Sequence, residues 1–134
     1  MTGELSTRRY RFNLKRHRMG GKDFARTYSE GSRARASLMT VVVRENGLER
    51  RRLGLSVGKR CWKHATKRNR VRRVFREAFR LAMHELPDGI DVVLVASTPR
   101  IRPGLDETRE QLSMLVAKAL RRYRDKHAAA EAPR

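Results

Sequence analysis

The chain is expected to fold as one α+β domain, an α/β sandwich with a small mixed sheet and packed helices in the order α-β-β-α-β-α. Three observations lead there. The length of 134 residues fits a single core. Apolar periodicity switches along the chain between two and 3.6 residues, the signatures of strand and helix. One late segment, Ile90 to Ala96, is a nearly continuous apolar run and needs cover on both faces.

Residues 1–19 carry Arg8, Arg9, Arg11, Lys15, Arg16 and Arg18 without apolar periodicity, and read as a flexible basic arm ending at Gly20-Gly21. The domain is expected over 20–124. Lys22 to Glu30 reads as a short helix with Phe24, Ala25 and Tyr28 on one side and Gly31 as its stop. Ser37 to Val43 is rich in β-branched residues and reads as a strand. Asn46-Gly47 is a turn signal, because both residues tolerate positive φ. Arg50 to Val57 is a second strand: Leu53, Leu55 and Val57 alternate with Arg52, Gly54 and Ser56, so one face is buried. These two strands are expected to pair as a hairpin.

A basic connector, Lys59 to Lys67, leads into the clearest helix, Arg68 to Leu86. Val71, Val74, Phe75, Ala78, Phe79, Ala82, Met83 and Leu86 form a continuous amphipathic stripe. Thr66 is the expected cap, and Pro87-Asp88-Gly89 the end. Ile90 to Ala96 is then a central strand. Past Pro99 and Pro103, Leu105 to Tyr123 forms a last helix with Leu112, Leu115, Val116, Ala119, Leu120 and Tyr123 inward. Residues 125–134 are Ala-rich and polar, an expected frayed tail.

Charge narrows the function. Lys and Arg number 33 against 14 acids, a net charge of +19. Such a surface repels itself until a polyanion neutralises it, and nucleic acid is the usual one. A polybasic membrane-surface protein is the rival class. No apolar run approaches the ~20 residues of a membrane span, and the basic N-terminus lacks a signal-peptide core. Cys61 is the single cysteine, which precludes an intramolecular disulfide and suits a reducing cytoplasm.

The charge concentrates on one helix face. Arg72, Arg73, Arg76 and Arg80 lie opposite the apolar stripe, Arg70 lies at the edge, and Asn69 falls among them. From Lys59 to Arg80 there are ten Lys or Arg and one acid, Glu77. A face built only for solubility would intersperse acids at i,i+4, and only Arg73–Glu77 has that spacing. Guanidinium forks match phosphate oxygens two at a time, and an amide can read a base edge or a 2′-hydroxyl.

The segment GLSVGKRCWKHATKRNRVRRVFREAFR resembles the signature of the bacterial ribonuclease P protein family. The match runs through Gly54-Leu55-Ser56-Val57, Lys59-Arg60, Arg68-Asn69-Arg70-Val71-Arg72-Arg73 and Arg76-Glu77-Ala78-Phe79. With the rest of the element order it covers about Leu14 to Tyr123. The resemblance implies a ribosomal-protein-S5-like fold with a left-handed crossover, against the usual rule for such connections. It implies that Lys59, Arg60, Arg68, Asn69, Arg70, Arg72, Arg73 and Arg76 face a catalytic RNA. It implies further that a cleft between the first helix and the sheet holds the single-stranded 5′ leader of precursor tRNA, with Phe24 and Tyr28 matching the family's paired aromatics. Catalysis would belong to the RNA, with Mg²⁺ held mainly by RNA and substrate, in the cytoplasm, with no membrane and no protein partner required. Two features depart from the pattern. The link Cys61 to Lys67 lacks the usual Gly and is one residue longer, and a Tyr frequent on the first strand is missing around Thr40 and Val41, which lowers the stacking expected in the cleft.

No protein active site is visible. His17, His64, His84 and His127 have no metal-ligand spacing. Cys61 lacks a base partner, and the acids are too dispersed for a two-metal cluster. Two roles stay open for Trp62, base stacking or capping the core. Phe24 and Tyr28, four apart on one helix face, likewise serve either core or platform. A ribosomal RNA-binding protein would show similar charge and size. A DNA-binding regulator would need a helix-turn-helix, and the segment before the basic helix reads as strand and loop.

Overall fold

A computed structural model of the chain describes residues 17–131. The elements are α1 (Gly21–Glu30), β1 (Ser32–Arg35), β2 (Thr40–Glu45), β3 (Arg52–Ser56), α2 (Ala65–Ala82) with a 3₁₀ turn (Met83–Glu85), β4 (Ile90–Val95) and α3 (Leu105–Glu131). The strands form one mixed sheet in the order β1-β2-β4-β3. β1–β2 and β2–β4 are antiparallel, and β3–β4 is parallel.

β4 takes the centre, as its two-sided apolar run requires, and every residue from Ile90 to Leu94 is buried. That placement overturns the expected hairpin, because β4 lies between β2 and β3. The Asn46-Gly47 turn is present, with Gly47 at φ 71. It opens a longer connection that crosses two strand spacings, about 10 Å. The Asn46 side chain organises the crossing. Its amide donates to the Arg50 carbonyl (3.1 Å) and Asp91 Oδ1 (2.8 Å), and its Oδ1 accepts from the Leu48 N–H (2.8 Å). The hairpin instead joins β1 to β2. β1 was not expected: four residues long, it buries only Ala34 between Arg33 and Arg35.

One face of the sheet carries the main core. Val41, Val43, Leu53, Val92 and Leu94 meet Phe75, Phe79, Leu112, Leu115 and Val116 from α2 and α3. α2 begins at Ala65 after His64, which has extended backbone (φ −81°, ψ 130°) and supplies no side-chain cap. Thr66 therefore lies inside the first turn and cannot cap it. The helix ends in the 3₁₀ turn ahead of Pro87, whose ring excludes αR from the residue before it. α3 continues past Tyr123 to Glu131. Around Tyr123 the helix is tied to the sheet by Arg122, which donates to the Arg33 carbonyl (2.7 Å), and by Arg124, paired with Glu45 (2.8 Å). The expected arm lies outside the described residues as far as residue 16. Its end is docked: Arg18 bridges to Leu53, and buried Met19 donates its N–H to the Leu53 carbonyl at 3.4 Å.

Candidate nucleic-acid interface

α2 is two-faced. Val71, Phe75, Ala78, Phe79 and Ala82 are sealed into the core. Arg70, Arg73 and Arg76 are exposed and make no ion pair or hydrogen bond among the described residues. Their neighbours are partly engaged. Arg72 donates to Asn69 Oδ1 (2.8 Å) and to the Val57 carbonyl (2.9 Å), bracing the helix on the end of β3. Arg68 donates to the carbonyls of Trp62 (3.1 Å) and Lys63 (2.7 Å), pinning the preceding loop. Asn69 is exposed with its oxygen taken by Arg72, which leaves its amide hydrogens outward. Glu77 pairs with Arg80 rather than Arg73, because Arg80 reaches both carboxylate oxygens with its fork (Nε to Oε2, 3.0 Å). That hydrogen bond holds the Glu77 carboxyl below the usual range. The free arginines of the face are thus left without an internal counter-charge.

The second face of the sheet is built in three registered rows. The first row is Arg44, Asp91 and Arg52, and it is ionic. Asp91 is fully buried; it accepts two bonds from Arg52 (both 2.8 Å), one from Arg44 (3.2 Å) and one from Asn46. These bonds satisfy a charge that would otherwise be costly to bury. The Asp91 hydrogen bond also raises the Arg52 pKa. α1 closes over this row: Asp23 pairs with Arg52 (3.1 Å) and Thr27 lies against Arg44 (3.4 Å).

The second row is Arg33, Val42, Val93 and Gly54. Phe24 lies half-buried on it, packed with Met19, Val42 and Val93. A Cβ on Gly54 would come within 2.6 Å of the Phe24 ring, so only glycine admits the ring there. Tyr28 stacks parallel to Phe24 (6.3 Å, 11°), stays 42% exposed, and has the Arg33 guanidinium 4.4 Å from its ring centre. The third row is Arg35, Thr40, Val95 and Ser56. All four are at least partly exposed, and Thr40 Oγ1 lies 3.3 Å from Ser97 Oγ. Phe24, Tyr28 and Arg33 thus stand next to an open row of small polar and β-branched side chains. Beside it, a groove of about 450 Å³ runs between Phe24, Gly54 and Leu55 and the arginines Arg18, Arg72 and Arg76.

The model of the ribonuclease P protein family matches residues 13–120. The chain belongs to the ribonuclease P protein family. It is 35% identical over 104 residues to the ribonuclease P protein component of Pseudoalteromonas translucida (strain TAC 125), covering 77% of this chain and 70% of the relative. It is 36% identical over 112 residues to that of Chromobacterium violaceum, covering 84% and 92%. The solved RNase P protein from Thermotoga maritima superposes with a TM-score of 0.60 at 30% identity, covering 81% of this chain and 96% of that one. The fold is accordingly the family's, and membership gives the chain a role in tRNA 5′ processing.

Against the ribonuclease P pattern, the sequence-derived residues fall into three places. Arg70, Arg73 and Arg76 share the free face of α2, while Arg68 and Arg72 brace it. Lys59 and Arg60 lie apart from that face, on the rim of a pocket around Trp62. Phe24 and Tyr28 stack on each other over the second face of the sheet, Phe24 also serving the small core beneath α1. The link Cys61 to Lys67 folds onto residues 99–102 through Arg100 N–H to the Cys61 carbonyl (2.6 Å) and Trp62 Nε1–H to the Ile101 carbonyl (2.8 Å). Burial pushes the Cys61 thiol up, with an opposing hydrogen bond from the Ile101 backbone, so it stays a thiol at neutral pH. Sequence reasoning missed Arg33, Arg35, Asp91, Arg100 and Arg102. The Arg-Ala alternation from Arg33 to Ala36 signals an edge strand with arginines on one side. A lone Asp inside an apolar strand signals a buried ion pair.

No helix among the described residues is long and apolar enough to cross a membrane. No group of three or more His, Cys, Asp or Glu among them is placed to hold a metal ion, and Asp23 and Asp91 are both engaged by arginines.

Proposed function

We propose that this chain is the protein subunit of a cytoplasmic ribonuclease P that binds the catalytic RNA and the 5′ leader of precursor tRNA. The free face of α2 takes the RNA subunit, with Arg70, Arg73 and Arg76 on phosphates and the Asn69 amide on a base edge or 2′-hydroxyl. The cleft takes the leader as a single strand: Tyr28 and Phe24 stack on bases, Arg33 and Arg35 follow the backbone, and Thr40, Ser56 and Ser97 offer hydroxyls. The protein neutralises phosphate repulsion between two RNAs. The RNA performs the hydrolysis, with Mg²⁺ bound by RNA and substrate. The observation that carries this reading is the groove in which Arg72 and Arg76 meet Phe24, because it joins the basic helix face to the cleft.

Reconstitution with the ribonuclease P RNA of the same organism tests it. The holoenzyme should remove the leader from precursor tRNA, and the protein with Mg²⁺ alone should not. Replacing Arg70, Arg73 and Arg76 with Ala should weaken RNA-subunit binding and lower the log–log salt slope by about 2–3, one unit per lost phosphate contact. The circular dichroism melt should not change, since all three are exposed. Specific cleavage by the protein alone, or an unchanged salt slope, would refute the assignment.

A further inference from the structure

We infer that the pocket around Trp62 holds one unpaired nucleotide of the RNA subunit, its base stacked on the indole and its phosphate among the cations of the rim. The inference rests on the RNA-subunit reading above and adds a site that the arginine face of α2 does not include.

The pocket has a volume of about 570 Å³, within the ~300–1,000 Å³ of small-ligand sites. Lys59, Arg60, Lys63, Lys67, Arg100 and Arg102 line it, and no acid does. Six cations around one cavity repel each other unless an anion enters. The indole sits among them as a fixed plate. It packs on the core, and its Nε1–H donates to the Ile101 carbonyl at 2.8 Å. Lys67 Nζ lies 4.4 Å from the ring centre and the Arg102 guanidinium 5.9 Å. Both charges end long flexible side chains, which can swing from the ring onto a phosphate.

The facing loop is held rigidly. Arg100 adopts φ 56°, a left-handed conformation that a residue with a Cβ keeps only when its surroundings impose it. The bond from Arg100 N–H to the Cys61 carbonyl, at 2.6 Å, is that constraint, and it ties the two walls of the pocket together.

The ligand chemistry follows from the lining. An inorganic anion or an acidic peptide would satisfy the cations and leave the indole unused. A base paired in a duplex cannot present its π-face to a side chain, so the nucleotide must be unpaired. A smaller adjoining pocket of about 220 Å³ shares Trp62, Lys67 and Arg102 and reaches Arg70 on the free face of α2. The groove that contains Phe24 shares no residue with it. The site therefore continues the RNA-subunit surface rather than the leader cleft.

Trp62 is the only tryptophan in the chain, so its fluorescence reports this pocket alone. Titrating the full protein with the ribonuclease P RNA should quench the indole and saturate at one equivalent. Trp62→Ala should raise the Kd for that RNA about 5- to 150-fold, the range expected for one stacked base. Trp62→Phe, which keeps a stackable ring, should stay within a few-fold of the parent. The double variant Lys67→Ala/Arg102→Ala leaves the indole and its hydrogen bond in place; it should bind more weakly, with a salt slope lower by about 1–2. If Trp62→Ala lowers the melting temperature, that double variant decides the question without it. Full-affinity RNA binding with no quenching would overturn the nucleotide pocket and leave the family-level role standing. Quenching that appears only on adding precursor tRNA and grows with leader length would overturn it as well. Failure of the protein to bind the RNA subunit at physiological salt would overturn both readings.

Discussion

On one face of the sheet Val41, Val43, Val92 and Leu94 meet Phe75, Phe79, Leu112 and Leu115, and all eight side chains are fully buried. On the other face the same strands carry Arg44, Asp91 and Arg52 in one row and Thr40, Val95 and Ser56 two rows away. The first face is apolar, continuous and covered by two long helices. The second is ionic at one end, open at the other, and covered by a single helix of 10 residues. Stability is concentrated under α2 and α3. The second face keeps polar groups at the surface, as the proposed leader site requires, and the buried ion cluster ties down the short helix beside it.

The largest effects belong to the first face. Phe75→Ala removes a fully buried ring between α2 and the sheet, and should cost about 3–5 kcal/mol of stability in urea denaturation. Affinities for every RNA should fall together, since the whole scaffold loosens. An effect on precursor tRNA alone would break the division between the faces.

Next comes the ion cluster. Asp91→Ala leaves Arg44 and Arg52 buried without their main partner, at a cost of about 3–5 kcal/mol. Arg44→Met and Arg52→Met combined with Asp91→Leu should recover most of that stability, because a packed apolar trio avoids the desolvation penalty. The same triple variant loses the Asp23–Arg52 tie at the start of α1. Leader-dependent binding of precursor tRNA should therefore stay weak while stability returns. Recovery of both would show that the cluster serves only the fold.

The faces also differ in how far the sequence discloses them. The apolar stripe of α2 and the run Ile90 to Ala96 are repeating patterns, and burial follows from repetition. That is why the first face was legible almost residue by residue. The second face depends on register, which residue stands beside which across strands, and register is set by the whole fold. The expected hairpin illustrates the limit. Strong strands flank a good turn, yet nothing local says that a third strand enters between them. β1 was passed over because its lone buried Ala34 gives no apolar signal. Arg70, Arg73 and Arg76 were legible because they fall opposite a stripe. Arg33 and Arg35 were not, because they act as wall residues only once β1 pairs with β2.

Gly54 lies where the two faces share a strand. Leu53 points into the main core, while Gly54 receives the Phe24 ring on the other side. Gly54→Ala places a methyl within 2.6 Å of that ring, and overpacking of this kind costs about 1–3 kcal/mol. The ring is the flexible partner, so Phe24 and α1 should shift while the main core stays intact. The expected result is a modest fall in melting temperature with a disproportionate loss of leader binding. A shift confined to melting temperature would mean that the ring's position does not matter to the leader.

The smallest effect on the fold, and the most selective on function, is expected at Tyr28. Its ring is 42% exposed and contacts Phe24 and the Arg33 side chain rather than the buried apolar residues, so Tyr28→Ala should leave the melting temperature nearly unchanged. If the ring stacks on a leader base, holoenzyme affinity for precursor tRNA should fall by about 1–3 kcal/mol. Mature tRNA has no leader and should bind as before, and so should the RNA subunit. A substrate with a leader of one or two nucleotides should be insensitive, while one long enough to reach the cleft should feel the full loss. Arg33 complicates the readout, because it can stay near the cleft as a cation after its aromatic partner is gone. At low salt the net charge of +19 would bind any RNA and mask the difference. The comparison therefore belongs at physiological ionic strength, where Tyr28→Phe should behave as the parent, since the ring rather than the hydroxyl does the stacking. Equal losses for precursor and mature tRNA would show that Tyr28 supports the scaffold, and the contrast between the two faces would no longer hold at the cleft wall.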